Sequence, residues 1–378
     1  MQNSRMERKQ KEKILKDLRK KIVFIVGPRQ VGKTWLAKNI AGDLPNTVYL
    51  NYDRIEDRKI IKREAWLKST ELLILDELHK MPGWKNFLKG VFDTKPAHLK
   101  ILVTGSARLD FMRQSGDSLA GRFFVHRLMP FSPAELSDTP YAENIDRFLL
   151  RGGFPEPFLT EDPADADRWR MQYIDGLIRI DVLDFERIHD LRAMQLVLEL
   201  LRTKVGTPVS YSSLAEDAQI APNTVKKYVQ ILEALYIVFR VTPYSRNIAR
   251  SLLKNPKIYF YDTGMVKADQ GVIFENFTAV CLLKSILGKT DMEGKDYRLH
   301  YIRTKEGKEV DFCVVREGKA DYLVESKYSD PEFSRELASF SERLRVPGIQ
   351  VVKDLKRERR SKNLTLRTAE TFFLDLFL

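Results

Sequence analysis

A chain of 378 residues is too long for one compact core and should form two to four domains, and its 43% hydrophobic content is enough to bury their cores. Lys and Arg outnumber Asp and Glu by 64 to 52, a net charge of +12 that makes polyanions the expected partners. Only two cysteines occur, Cys281 and Cys313, each among apolar neighbours, so neither a disulfide framework nor a zinc site is implied.

The first two dozen residues and the stretch KDLKRERRSKNLTLR near the end carry much of the basic excess, which reads as solvated amphipathic surface. No apolar h-region follows the N-terminal charges, and no run approaches the roughly 18 apolar residues of a membrane span. The expected setting is cytosolic, with no membrane partner.

Ile22 to Val26 is a continuous apolar strand, followed by a turn and by a helix pattern beginning near Lys33. The turn reads G-P-R-Q-V-G-K-T and fits G-x-x-x-x-G-K-[ST] in the strand-loop-helix setting that the motif needs. Its backbone N–H groups and the helix N-terminus make an anion cradle, so Gly27, Pro28, Arg29, Gln30, Val31, Gly32, Lys33 and Thr34 form the expected ATP-binding loop. Gly27 and Gly32 let the backbone curl, Lys33 reaches the β and γ phosphates, and the Thr34 hydroxyl ligates Mg²⁺.

Leu72 to Leu75 is a short buried strand that delivers Asp76 and Glu77 to the carboxyl end of a parallel sheet. Asp76 is the expected Mg²⁺ ligand, directly or through water, and Glu77 the residue that polarises the attacking water. A further strand, Leu99 to Gly105, brings Thr104 and Ser106 toward the γ-phosphate or the water. After it, Phe123 to Leu128 reads as another strand. Arg108 and Arg122 are alternatives for the charge that stabilises phosphoryl transfer, Arg122 being preferred, and a plain salt bridge is the competing role for either.

The motifs GPRQVGKT, LLILDELHK, VTGSAR and LAGR, followed by RGGFPEPF, resemble those of bacterial and archaeal AAA+-superfamily ATPases that carry a C-terminal winged helix and a restriction-endonuclease-like domain. The resemblance covers nearly the whole chain. It implies an α/β fold: a P-loop NTPase sheet with an additional strand between the P-loop strand and the Asp76 strand, a helical lid, a winged helix and a smaller α/β nuclease-like domain. The corresponding boundaries are 1–136, 137–190, 191–250 and 251–378.

From SDTPYAENID to about Asp190 the pattern is helical, broken at GGFPEP and EDPADAD. Arg151 opens the first break, as a lid arginine that reaches nucleotide or as a structural residue. Between Leu191 and Val241 the pattern is three helices and a short strand. Ser213 with Glu216 carries a capping-box signature. Pro222 starts the third helix, whose stripe is Val225, Tyr228, Val229, Leu232 and Leu235. Its opposite face holds Asn223, Lys226, Lys227 and Gln230, residue types that contact phosphates or base edges when a helix enters a DNA groove, although a helix-turn-helix can also serve packing alone.

The last third begins with a helix, GVIFENFTAVCLLKSILG, that has Glu275 near its start. Three strands joined by two glycine turns follow. Four Glu-x-Lys triplets elsewhere in the sequence are background, and those at Glu306 and Glu317 fall in these turns. The triplet Glu325-Ser326-Lys327 instead lies in the apolar strand YLVESKY, where a separation of two puts both charges on one face. Asp311 opens the buried strand VDFCVV. Helix Glu275, strand Asp311 and strand Glu325-x-Lys327 resemble the PD-(D/E)XK nuclease core. The resemblance implies Mg²⁺ held by Asp311 and Glu325 with help from Glu275, and Lys327 as a catalytic lysine. An ordinary Glu325–Lys327 salt bridge is the alternative.

Overall fold

A computed structural model describes residues 7–105, 119–178, 190–245, 255–330 and 332–378. The chain divides into two compact units, Met1–Met129 and Pro130–Leu378.

In the first unit, strands β1 (Ile22–Val26), β2 (Thr47–Asn51), β3 (Leu72–Asp76), β4 (Lys100–Thr104) and β5 (Phe123–Arg127) form a sheet in the order β2-β3-β4-β1-β5. Every pairing is parallel. β1 and β3 are buried along their whole length, as strands covered on both faces must be. β4 separates β1 from β3, the insertion that the resemblance implies. Helices α1 (Lys11–Leu18), α2 (Lys33–Ala41), α3 (Ile55–Arg63) and α4 (Trp84–Thr94) belong to the same unit. Because all the strands run the same way, the ends that follow Val26, Asp76 and Thr104 share one rim, where such sheets bind ligands.

The first compact unit ends at Met129. The Leu128 amide still donates to Val26 at 2.8 Å, extending the β1–β5 ladder, whereas the Phe131 amide donates to Gly153 at 2.6 Å within the second unit.

The second unit opens with α5 (Ile145–Arg151), α6 (Pro155–Leu159) and α7 (Pro163–Gly176), broken where the glycine and proline clusters predict. Gly152 has φ +68°, and a Cβ there would lie 1.7 Å from Asp262 Oδ1, so the RGGF turn needs glycine to approach that buried carboxylate. Arg170 Nε donates to the other Asp262 oxygen at 2.9 Å. Helices α8 (Leu191–Thr203), α9 (Tyr211–Ala218) and α10 (Pro222–Ala234) follow, with all five predicted stripe residues of the third helix buried. The cap of α9 is Ser210, whose side chain accepts the Ser213 amide; Ser213 has already entered the helix.

Strand β6 (Val238–Pro243) joins the large sheet. It pairs antiparallel with β7 (Lys257–Phe260) and parallel with β8 (Tyr297–Arg303). The sheet continues through β9 (Glu309–Arg316), β10 (Lys319–Lys327), β11 (Gly348–Val352), β12 (Arg359–Ser361) and β13 (Leu364–Thr368), in the order β12-β13-β11-β10-β9-β8-β6-β7. The segments expected as lid, winged helix and nuclease-like domain therefore lie in one compact unit.

Helix α11 (Gln270–Glu293) packs on this sheet, with α12 (Arg335–Leu344) and α13 (Ala369–Leu374) after it. By length and composition α11 could cross a membrane, which the search for apolar runs did not anticipate, but 67% of its most apolar window is buried inside the protein. It also carries buried polar residues with partners. Asn276 exchanges hydrogen bonds with the Phe260 backbone, and Lys284 Nζ donates to Pro130 at 2.8 Å.

Candidate functional site

The loop after β1 curls through three left-handed positions, Gly27 (φ 142°), Gln30 (φ 58°) and Gly32 (φ 97°). Gly27 is required sterically, because a Cβ there would stand 2.2 Å from the Leu128 carbonyl oxygen. Gly32 caps α2, so the first amides of that helix face the loop interior, a site made for anions. Lys33 is buried, and its Nζ donates to the carbonyls of Gly27, at 3.0 Å, and Pro28. Arg8, a residue the sequence reading passed over, braces the loop by donating to the Val31 carbonyl and, at 3.0 Å, to Met129.

Sheet order brings Asp76 beside Thr34. Asp76 Oδ2 accepts the Thr34 hydroxyl at 3.2 Å and the Tyr49 hydroxyl at 2.5 Å, and Oδ1 accepts the Thr104 hydroxyl at 2.6 Å. A threonine hydroxyl beside a carboxylate is the donor set that a hard cation such as Mg²⁺ takes, with water filling the rest of its shell. Thr104 thus turns to Asp76 as a hydrogen-bond donor. Tyr49 is a site residue that sequence reasoning missed; burial, with the adjacent Asp76, pushes its hydroxyl pKa up.

Glu77 follows β3 in a left-handed conformation, φ 55°, which costs about 1 kcal/mol in a residue with a Cβ. Its amide is held by the Thr104 carbonyl at 3.0 Å. The carboxylate faces His79 Nε2 at 3.5 Å and Lys80 Nζ at 3.6 Å, and Lys80 also binds Asp53 at 2.6 Å. Burial raises the Glu77 pKa above its ordinary 4.5, Lys80 pulls it back, and Asp76 raises it again.

Arg122 is placed elsewhere. Its carbonyl accepts the Ile22 amide, so it stands at the start of β1, while the loop begins after Val26 at the other end. Five residues of strand separate the two, about 16 Å. Its guanidinium grips Asp93 through Nε at 2.8 Å and Nη2 at 3.0 Å, so it is salt-bridged and outside the phosphate site of its own chain. Arg151 donates to the Thr160 carbonyl and, at 2.7 Å, to that of Glu161, a structural role. Ser106 and Arg108 lie outside the described residues.

In the second unit two of the expected carboxylates, Glu275 and Asp311, gather with Glu309 around a lysine. Lys257 Nζ lies 2.7 Å from Glu309, 3.1 Å from Glu275 and 3.9 Å from Asp311. Burial opposes its charge, but Glu275, Asp311 and Glu309 together outweigh that effect and raise its pKa. Burial, with Asp311 nearby, pushes Glu275 up to about 7 and also raises buried Glu325. Glu325 pairs with Lys327 at 2.9 Å, the salt bridge given as the alternative. Among the described residues no three His, Cys, Asp or Glu side chains group so as to hold a metal ion. The carboxylates are thus together, but as partners of lysines rather than as a cation shell. Glu309 and Lys257 belong to this cluster and were not foreseen.

On α10, Asn223, Lys226 and Gln230 are exposed and Lys227 is half-buried, all away from the buried stripe.

Residues 19–137 match the family described as an AAA domain. The first unit carries an AAA-like ATPase domain. Residues 142–273 and 270–371 match two families described as domains of unknown function, DUF8612 and DUF4143. The chain is similar to an uncharacterized protein of Mycobacterium tuberculosis, 24% identical over 346 residues, which covers 88% of this chain and 76% of the relative. An uncharacterized protein of Methanocaldococcus jannaschii is 22% identical over 372 residues, covering 89% of this chain and 80% of that one. Among solved structures, the Walker-type ATPase of Pyrococcus abyssi is similar at a TM-score of 0.45 and 15% identity, covering 68% of this chain and 93% of that chain.

Proposed function

We propose that this protein is an Mg²⁺-dependent ATPase that acts as a switch, its nucleotide state governing DNA binding by the second unit without cleavage. The observation that carries the reading is the convergence of Lys33, Thr34 and Asp76 on one rim, with Glu77 next in the chain. When bound, Mg²⁺ would neutralise phosphate charge, held by Thr34 and Asp76. Lys33 would leave its loop carbonyls for the terminal phosphates. Glu77 would take the proton of the attacking water. The deciding experiment is Mg²⁺-dependent ATP turnover by the full chain; protein that binds no nucleotide would end the reading.

The raised pKa of Glu77 gives a pH test. As a base it works ionised, so turnover should fall on the acid side at a pH above its ordinary 4.5. Lys80→Met removes the largest opposing charge, so that limb should move to higher pH. Profiles of kcat against pH for the two proteins check this, and an unmoved limb would remove Lys80 from the site.

DNA binding is supported by the polar face of α10 and the net charge of +12. Exchanging Lys226 and Lys227 together for Glu should lower affinity at least about tenfold and flatten the plot of log affinity against log salt by about 2. Titration of labelled duplex at several salt concentrations reads both. The non-cleaving form of the switch is favoured by the pairing of the carboxylate cluster with Lys257.

A further inference from the structure

Lys257 opens β7 and is 1% exposed. Its ammonium meets Glu309 from β9, Glu275 from α11 and, more distantly, Asp311 from β9. Tyr259 lies two residues on and so on the same face of β7, and its hydroxyl donates to the same Glu275 oxygen at 2.6 Å.

Other oxygens of the cluster are engaged by protein donors: Glu309 Oε2 accepts Arg303 at 2.8 Å. Asp311 Oδ2 accepts both the amide and the hydroxyl of Ser326 at 2.9 Å, and Glu325 accepts Lys327. The backbone around Lys257 is fixed as well. The Val209 amide donates to Pro256 at 2.8 Å, Pro208 bridges to Lys257, and Gly206 lies so close to Glu275 that a Cβ there would stand 3.0 Å from Oε2.

A divalent ion such as Mg²⁺ needs about six oxygen ligands at about 2.1 Å, and here it would have to displace a buried ammonium already paired with these carboxylates. Removing the ammonium alone would leave three half-buried carboxylates without the cation they share.

We infer that Lys257 is the resident cation of this cluster and takes the place of a divalent ion, so that the nuclease-like carboxylates staple β7, α11 and β9 together instead of activating water. The inference rests on reading the second unit as a module that binds without cleaving; ATP turnover does not enter it.

The test is Mn²⁺ binding to the nucleotide-free full chain, read by electron paramagnetic resonance. Wild-type protein should show no Asp311-dependent site up to about 1 mM, the weak end of protein sites for divalent ions. Lys257→Arg, which keeps the charge, should behave likewise. Lys257→Gln should gain a site at least tenfold tighter than wild type, lost again when Asp311→Asn is added. A wild-type site abolished by Asp311→Asn, or a folded Lys257→Gln protein that gains none, overturns the inference. If Lys257→Gln does not fold, the wild-type and Asp311→Asn comparison still decides. Plasmid nicking by wild type that disappears in Asp311→Ala would also overturn it while leaving the nucleotide site untouched.

Discussion

Lys33→Ala is expected to remove ATP turnover, by about 10³-fold or more, with the fold intact. The ammonium is buried in the loop and already hydrogen-bonded to the carbonyls of Gly27 and Pro28. Terminal phosphates would therefore have to outcompete two internal acceptors, which their full negative charge favours. Alanine leaves the loop amides but no cation for the charge that spreads over the transferring group, a loss of about 4 kcal/mol in the transition state for 10³-fold. Single-turnover hydrolysis with Mg²⁺ measures it, with thermal melting as the folding control. Unchanged turnover would remove the nucleotide reading altogether.

Glu77→Gln should separate binding from chemistry. The amide has the carboxylate's shape and can keep the left-handed turn at φ 55°, so nucleotide affinity should stay within a few-fold of wild type. It cannot accept the water's proton, and turnover should fall by about 10²- to 10⁴-fold, the range for loss of a positioned base. Fluorescent-nucleotide titration beside steady-state hydrolysis makes the comparison. Wild-type turnover in the variant would place the base elsewhere.

The nucleotide loop was legible because phosphate chemistry dictates residue types at fixed spacing along one stretch of chain. The Asp76 strand was legible for a related reason, since a fully buried parallel strand is a continuous apolar run. Tyr49 was not, because its approach to Asp76 depends on β2 lying next to β3, a fact of sheet order. Arg122 failed for the converse reason: a sequence does not say which rim of a parallel sheet a residue occupies, and here the β1–β5 register puts it at the far one.

In the second unit the three helices between 191 and 241, the long helix and the three hairpin-linked strands were legible from their periods, whereas β11, β12, β13, α12 and α13 were not read. The ion pairs of Lys257 were not legible either, because Lys257, Glu275, Glu309 and Asp311 meet only through long-range packing. The available signal was a lysine directly preceding the buried run IYFY, where a charge needs a partner.

The junction of α10 with β6 has a mechanical consequence. Only Leu235, Tyr236 and Ile237 separate the helix from the strand, and Glu233 clamps Arg240 across that bend at 2.6 Å. Torque on the helix from a docked partner would therefore pass straight into the backbone ladder holding β7, and with it Lys257. Load taken up by the helix would thus reach the sheet through three residues and one ion pair.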